Sequence, residues 1–219
     1  MNRSFDYNGV QVSPSKPVQK LVKRTRVLFI DSGDRDKNVF INNGRFTLFL
    51  PRTYERVTSI NIKDAEFPQT RVDLGGSTTV NMWTGPDVGP TAPGTGVSLT
   101  TQPTYFFLEV QGLNMSDETN SSAVRSASTN SVFGKFVVAN PSDSVVIYNE
   151  SSNAHQTIQF YPALTKLDRL HFRFRTHGMD QNSYLYWPVG EWSMSLDIET
   201  LENAFDEFST IETRLGDRA

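Results

Sequence analysis

No cysteine occurs in the 219 residues of the chain. Disulfides, thiolate-bound zinc, iron–sulfur clusters and thiol nucleophiles are therefore excluded by composition alone. Histidine is scarce as well. His155, His171 and His177 are the full set, and they form neither an H-E-x-x-H nor a His-x-His spacing, so no imidazole-based metal site is expected. No apolar run approaches the roughly eighteen residues of a membrane span, and the polar start MNRSFDYNGVQ has no signal-peptide core. The expected setting is a reducing compartment. Neither a G-x-S-x-G elbow nor a G-x-x-x-x-G-K-[ST] phosphate loop is present. Asp64 and Glu66, two apart on one strand, have a spacing that any strand with two acids would share. These absences predict a protein that is not an enzyme, with no catalytic residue, cofactor or metal.

What is present can build a core: 37% of residues are hydrophobic and 21% charged, too apolar for a disordered chain. The net charge of −3 hides a polarised distribution. Residues 1–26 carry a net +5 and residues 197–219 a net −5. The basic head, with Lys16, Lys20, Lys23, Arg24 and Arg26, reads as an arm that meets an acidic partner, although any single charge is explained by solvation. No nucleic-acid-reading motif accompanies it, so base readout is not expected.

The middle reads as strands at residues 27–31, 45–50, 57–67, 105–110, 132–138, 145–148, 157–161, 170–175 and 191–198. Each is rich in β-branched and aromatic residues and bounded by turn formers. In residues 57–67 alternation puts Ile60 and Ile62 on one face; in residues 171–175 it turns Phe172 and Phe174 inward and His171, Arg173 and Arg175 outward. Strands without intervening helices exclude a parallel α/β sheet and predict an antiparallel sandwich or barrel. Residues 73–103 and 114–130, dense in Gly, Pro, Thr, Ser and Asn, read as exposed loops.

Two segments allow competing readings. Asp31, Asp34, Asp36 and Asn38 superficially resemble a calcium loop. Val39 and Arg45 stand where an EF-hand needs Gly and Glu, so capping of backbone amides is the better account. Leu201, Ala204, Phe205, Phe208, Ile211 and Leu215 recur at spacings of three and four among acids. That predicts an amphipathic helix over residues 201–215, capped by Thr200 and stopped at Gly216, docking on its own sandwich or on a neighbouring subunit.

Three stretches are more specific: VLFIDSGDRD from Val27, FTLFLPRTYERVTSI from Phe46, and DAEFP from Asp64. In order and spacing they resemble the opening of the single jelly-roll capsid proteins of large icosahedral double-stranded DNA viruses, chlorovirus-like ones included. YFFLEV from Tyr105, Tyr161-Pro162, LDRLHFRF from Leu167 and WSMSLDIE from Trp192 extend the likeness across residues 27–199. The resemblance implies a single antiparallel jelly-roll sandwich of eight strands (residues 27–199); the basic arm (residues 1–26) precedes it, and the acidic helical tail (residues 200–219) is a departure from the family, whose members often stop soon after the final strand. It implies a structural virion protein assembled in the host cytoplasm. Major capsid proteins of such viruses carry two jelly rolls per chain, so a single one fits the fivefold vertex as a homopentameric penton.

Arg173, Arg175 and the apolar residues Leu201, Phe205, Phe208 and Ile211 are then candidate inter-subunit contacts. Major capsid protein trimers would be neighbours, and the arm would face other minor capsid proteins or the inner viral membrane. The alternatives are a minor capsid protein cementing neighbouring capsomers, and a carbohydrate-binding sandwich using exposed-loop aromatics such as Trp83.

Overall fold

The computed structural model describes residues 4–5, 11–12, 21–86, 96–113, 132–138, 145–149, 157–176, 179 and 183–203. It divides into two compact units, residues 25–200 and the two chain ends, residues 1–24 with 201–219. In the terminal unit, β1 (Ser4–Phe5) and β2 (Gln11–Val12) form an antiparallel pair, and Arg24 and Glu202 form an exposed ion pair at 3.2 Å.

The larger unit is all-β. Its strands, in chain order, are β3 (Leu21–Asp31), β4 (Arg45–Pro68), β5 (Arg71–Leu74), β6 (Ser77–Val80), β7 (Trp83–Pro86), β8 (Val97–Ser98), β9 (Tyr105–Val110), β10 (Gly134–Val137), β11 (Val145–Asn149), β12 (Thr157–Arg175), β13 (Ser183–Tyr186) and β14 (Ser193–Asn203). Strands β3 and β14 continue from it into the terminal residues.

Two strands organise everything else. β4 and β12 each serve two layers, and both change layer at the same corner. There, Arg56 of β4 takes a φ of 50°, and residues 160–163 of β12 lie between the pairs Gln159–Ser59 and Leu164–Val57. Extra residues on one side of a ladder bend it and sharpen its twist. Before the corner, β4 pairs with the end of β12 through Arg45–Arg173, Thr47–His171 and Phe49–Arg169. Beyond it, β4 pairs with β14 on one edge and with β11 and the start of β12 on the other.

One layer thus runs β3, β14, the second half of β4, then β11 with the start of β12. The other runs the first half of β4, the second half of β12, β9 and β10. Their inner faces meet through rings. Phe67 of the first layer lies 4.9 Å from Phe106, 4.7 Å from Phe136 and 5.6 Å from Phe174 of the second. Phe136 and Tyr148 meet edge-on at 5.3 Å. Each such pair adds about 1 kcal/mol beyond its burial.

Ile60, Ile62, Phe172 and Phe174 are all buried, as alternation predicts. A side flap, β13–β7–β8, joins β12 where Leu185 pairs with Phe174. Gly44 sits at that junction because a Cβ there would collide with the Leu185 carbonyl.

The observed elements depart from the sequence reading in four places. The first strand begins at Leu21, not Val27, so Lys23, Arg24 and Arg26 lie on β3. Strands expected separately at 45–50 and 57–67, and at 157–161 and 170–175, are continuous. The insertion at 73–103 contributes strand: Gly75 and Gly76, with φ of 65° and 92°, turn the β5–β6 hairpin, and β7 and β8 extend the flap. Finally, Thr200 and Leu201–Asn203 belong to strand β14 and do not begin a helix. Ladder pairing overrode the local three-and-four spacing there. Phe205, Phe208 and Ile211 fall outside the described residues.

Candidate functional site

Two polar clusters occupy the larger unit. The first closes the end of β3. Ser32–Asp34 form one 3-10 turn, with Asp31 Oδ1 accepting from the Gly33 amide at 2.6 Å. Asp36 Oδ1 accepts from the Asn38 amide at 3.0 Å. Two carboxylates of the calcium-like motif, Asp31 and Asp36, therefore serve backbone amides.

Arg35 follows, buried, and its guanidinium is consumed locally. Nε donates to the Phe40 carbonyl at 3.0 Å, Nη2 to Ile41 at 2.9 Å, and Nη1 to both the Ser32 carbonyl (2.7 Å) and Glu191 Oε2 (2.6 Å). Glu191 also accepts from Ser32 Oγ at 2.7 Å and pairs with Lys37 at 3.4 Å. Burial pushes its carboxyl up, but hydrogen bonds from Arg35, Ser32 and Asn43 outweigh that and hold it below its ordinary range. Asn43 binds the Trp187 amide and carbonyl and the Gly190 carbonyl, and its own carbonyl accepts from the Trp192 indole at 2.7 Å. This is a structural clasp.

The second cluster lies on the outer face of the second layer. Pairing puts Arg45, Arg173 and Glu109 side by side, and Thr47 beside His171. Arg175 is only 2% exposed; it pairs with Glu109 at 2.9 Å and donates to the Met179 carbonyl. Arg173 stands 3.8 Å from the same carboxylate and donates to the Ser183 carbonyl at 3.0 Å. Three guanidinium groups thus share the neighbourhood of one carboxylate. Burial, then Arg45 and Arg173, push the His171 imidazole below its ordinary value, which leaves it neutral at pH 7. Thr47 Oγ1 and His171 Nδ1 share a hydrogen bond at 2.7 Å.

Over this face runs a groove of about 530 Å³ lined by Thr47, Gln111, Gly112, Leu113, Leu164, Lys166, Leu167, Asp168, Arg169 and His171. A recess of about 240 Å³, lined by Arg45, Glu109, Gln111, His171 and Arg173, adjoins it at Gln111 and His171.

The residues proposed from sequence are scattered. Lys16 and Lys20 lie outside the described residues, while Lys23, Arg24 and Arg26 follow one another along β3. Arg173 and Arg175 come together, but Arg175 is a buried internal partner of Glu109 rather than a surface contact. Trp83 is half-buried on β7, 6.3 Å from the ring of Tyr186, and not on an exposed loop. Arg45, Glu109 and Gln111 were missed: strand register alone brings them to Arg173, and no local pattern encodes that register. No protein-family model matches the sequence, and a search of the curated proteins returns no significant relative.

Proposed function

We propose that the chain is a jelly-roll shell protein of a large icosahedral double-stranded DNA virus, forming the pentameric penton of the fivefold vertex. The observation that carries this reading is strand order. Counting β4 and β12 once per layer, and taking the start of β12 with β11, the two layers contain eight strands: β3, first β4, second β4, β9, β10, β11, second β12 and β14. The layers then run first–eighth–third–sixth and second–seventh–fourth–fifth. Each strand pairs with its mirror in the sequence, as when one long hairpin is wrapped around a core, and that pairing supports the jelly-roll reading.

The sequence motifs fit this frame. The IDS segment ends the first strand and supplies the clasp, and AEFP ends the third with Phe67 at the inter-layer core. Edge strand β3 presents Val27 and Phe29 outward, the latter 79% exposed. An exposed apolar edge strand suits a closed ring of identical subunits, in which each copy covers the next. The role is assembly by shape and burial, with no chemistry.

Light scattering of the purified full chain tests the proposal. A pentamer, weakened by Phe29→Asp, supports it. A monomer that joins particles only in the presence of major capsid protein assigns the cementing role instead.

A further inference from the structure

We propose that Asn43 is a latent modification site: its side-chain amide is hydrolysed while the chain is unfolded, and the clasp makes it inert once the chain has folded. This goes beyond the shell reading and does not depend on it. Asn43 precedes Gly44, and a glycine leaves its own amide nitrogen least obstructed. That nitrogen attacks the Asn43 side-chain carbonyl carbon. A C–N bond forms, the bond to Nδ2 breaks, and Nδ2 leaves as ammonia with the proton from the glycine amide. Water then opens the cyclic imide at either carbonyl, giving aspartate or isoaspartate and releasing a proton. The fold cannot discard the labile pair by changing the glycine, because a Cβ at residue 44 would collide with the Leu185 carbonyl.

The reaction needs water and a side chain free to swing onto the next residue's nitrogen. The clasp denies both. Asn43 is 2% exposed. Its Oδ1 accepts from the Trp187 amide at 2.9 Å, and Nδ2 donates to the carbonyls of Trp187 at 3.0 Å and Gly190 at 2.8 Å. The backbone is held too, since the Asn43 carbonyl accepts from the Trp192 indole and the Gly44 carbonyl from the Phe174 amide. The side chain's partners on Trp187 and Gly190 lie 144 and 147 residues further along, so protection begins only when the end of the fold has docked. The product does not fit the same place. An oxygen replacing Nδ2 would face two carbonyls and Glu191 Oε2, all acceptors, and its charge would be withdrawn from water. Isoaspartate would lengthen the main chain where Gly44 is already wedged against Leu185. A chain that has aged unfolded is thereby kept from closing its clasp.

The readout is peptide mass spectrometry of the full chain, aged at mildly alkaline pH in native buffer or in guanidinium chloride. Asn8–Gly9, the other Asn-Gly pair of the sequence, reports that the unfolding solution supports the reaction. In denaturant Asn43 is expected to convert alongside Asn8. In native buffer its conversion is expected to slow about a thousandfold, the scale set by the small fraction of time a folded domain spends open. Aged protein is then diluted out of denaturant, and the soluble refolded fraction is separated from the aggregate. Conversion at Asn43 is expected to be concentrated in the aggregate and depleted from the refolded fraction. Asn43→Asp, the direct mimic, is expected to refold poorly or with a lowered denaturant midpoint. Asn43 converting equally fast in buffer and denaturant would overturn the proposal. So would an Asn43 that stays intact where Asn8 converts, or refolded protein as rich in the converted residue as the aggregate.

Discussion

Among the described residues arginine is buried at two places, Arg35 and Arg175, with different surroundings. At the end of β3 the Arg35 guanidinium donates to three carbonyls and to Glu191, so charge and hydrogen bonds close within the clasp. On the outer face of the second layer, Arg173 and Arg175 share Glu109, and Arg45 lines the same recess. The first arrangement is what a fold needs to hold a chain crossing. The second sets Arg45 and Arg173 along a recess that Gln111 and His171 also line, beside the buried pair of Arg175 and Glu109. The contrast lies in closure: one guanidinium is satisfied by its own loop and Glu191, while the other group depends on strands brought together by register.

Removing Arg35 sharpens this contrast most. Arg35→Ala strands a partly buried Glu191 and frees three carbonyls, and is expected to lower unfolding stability by about 4 kcal/mol. Denaturant midpoints at unchanged m-value check it; a loss below about 1 kcal/mol would reduce the clasp to a surface salt bridge. Next comes Glu109→Gln, which removes the carboxylate that the buried Arg175 holds at 2.9 Å. A loss of about 3 kcal/mol is expected, recovered in part by Arg175→Met in the same background.

Acid titration separates the clusters by pH window. The carboxyl of Glu191 is held below its ordinary 4.5 in the folded state, so its contribution is complete above that value and is lost as pH falls toward the folded value. His171 is held below its ordinary 6.5, so the unfolded chain takes up its proton first, and stability declines as pH falls from 6.5. Stability curves against pH are expected to show two steps. His171→Gln is expected to remove the step beginning below 6.5, and Glu191→Gln to shrink the one beginning below 4.5, where Asp168, also held low by Lys166, contributes as well. The smallest effect belongs to Lys166→Gln. Its ion pair with Asp168 at 2.8 Å is exposed, so stability is expected to stay within about 0.5 kcal/mol by denaturant midpoint. A clear loss would make that pair part of the fold's support.

Much of the architecture was legible in the chain. Period-two alternation put Ile60, Ile62, Phe172 and Phe174 inside, and the strand-rich middle without helices announced an antiparallel all-β fold. What failed were features decided by distant partners. β4 and β12 read as two strands each, because the bend at Arg56 and residues 160–163 is visible only once the ladders are paired. Leu201–Asn203 followed a helical spacing, yet lie on the last strand. At the candidate site the alternation of His171, Arg173 and Arg175 was visible. Arg45 and Glu109 join them from segments more than sixty residues away, through pairing alone.

Class averages of the purified full chain by electron microscopy test most directly the proposal that this antiparallel all-β chain is a building block of a fivefold ring. The account predicts closed rings with fivefold symmetry, lost in Phe29→Asp. Single particles without symmetry at every concentration, from folded protein, would contradict it.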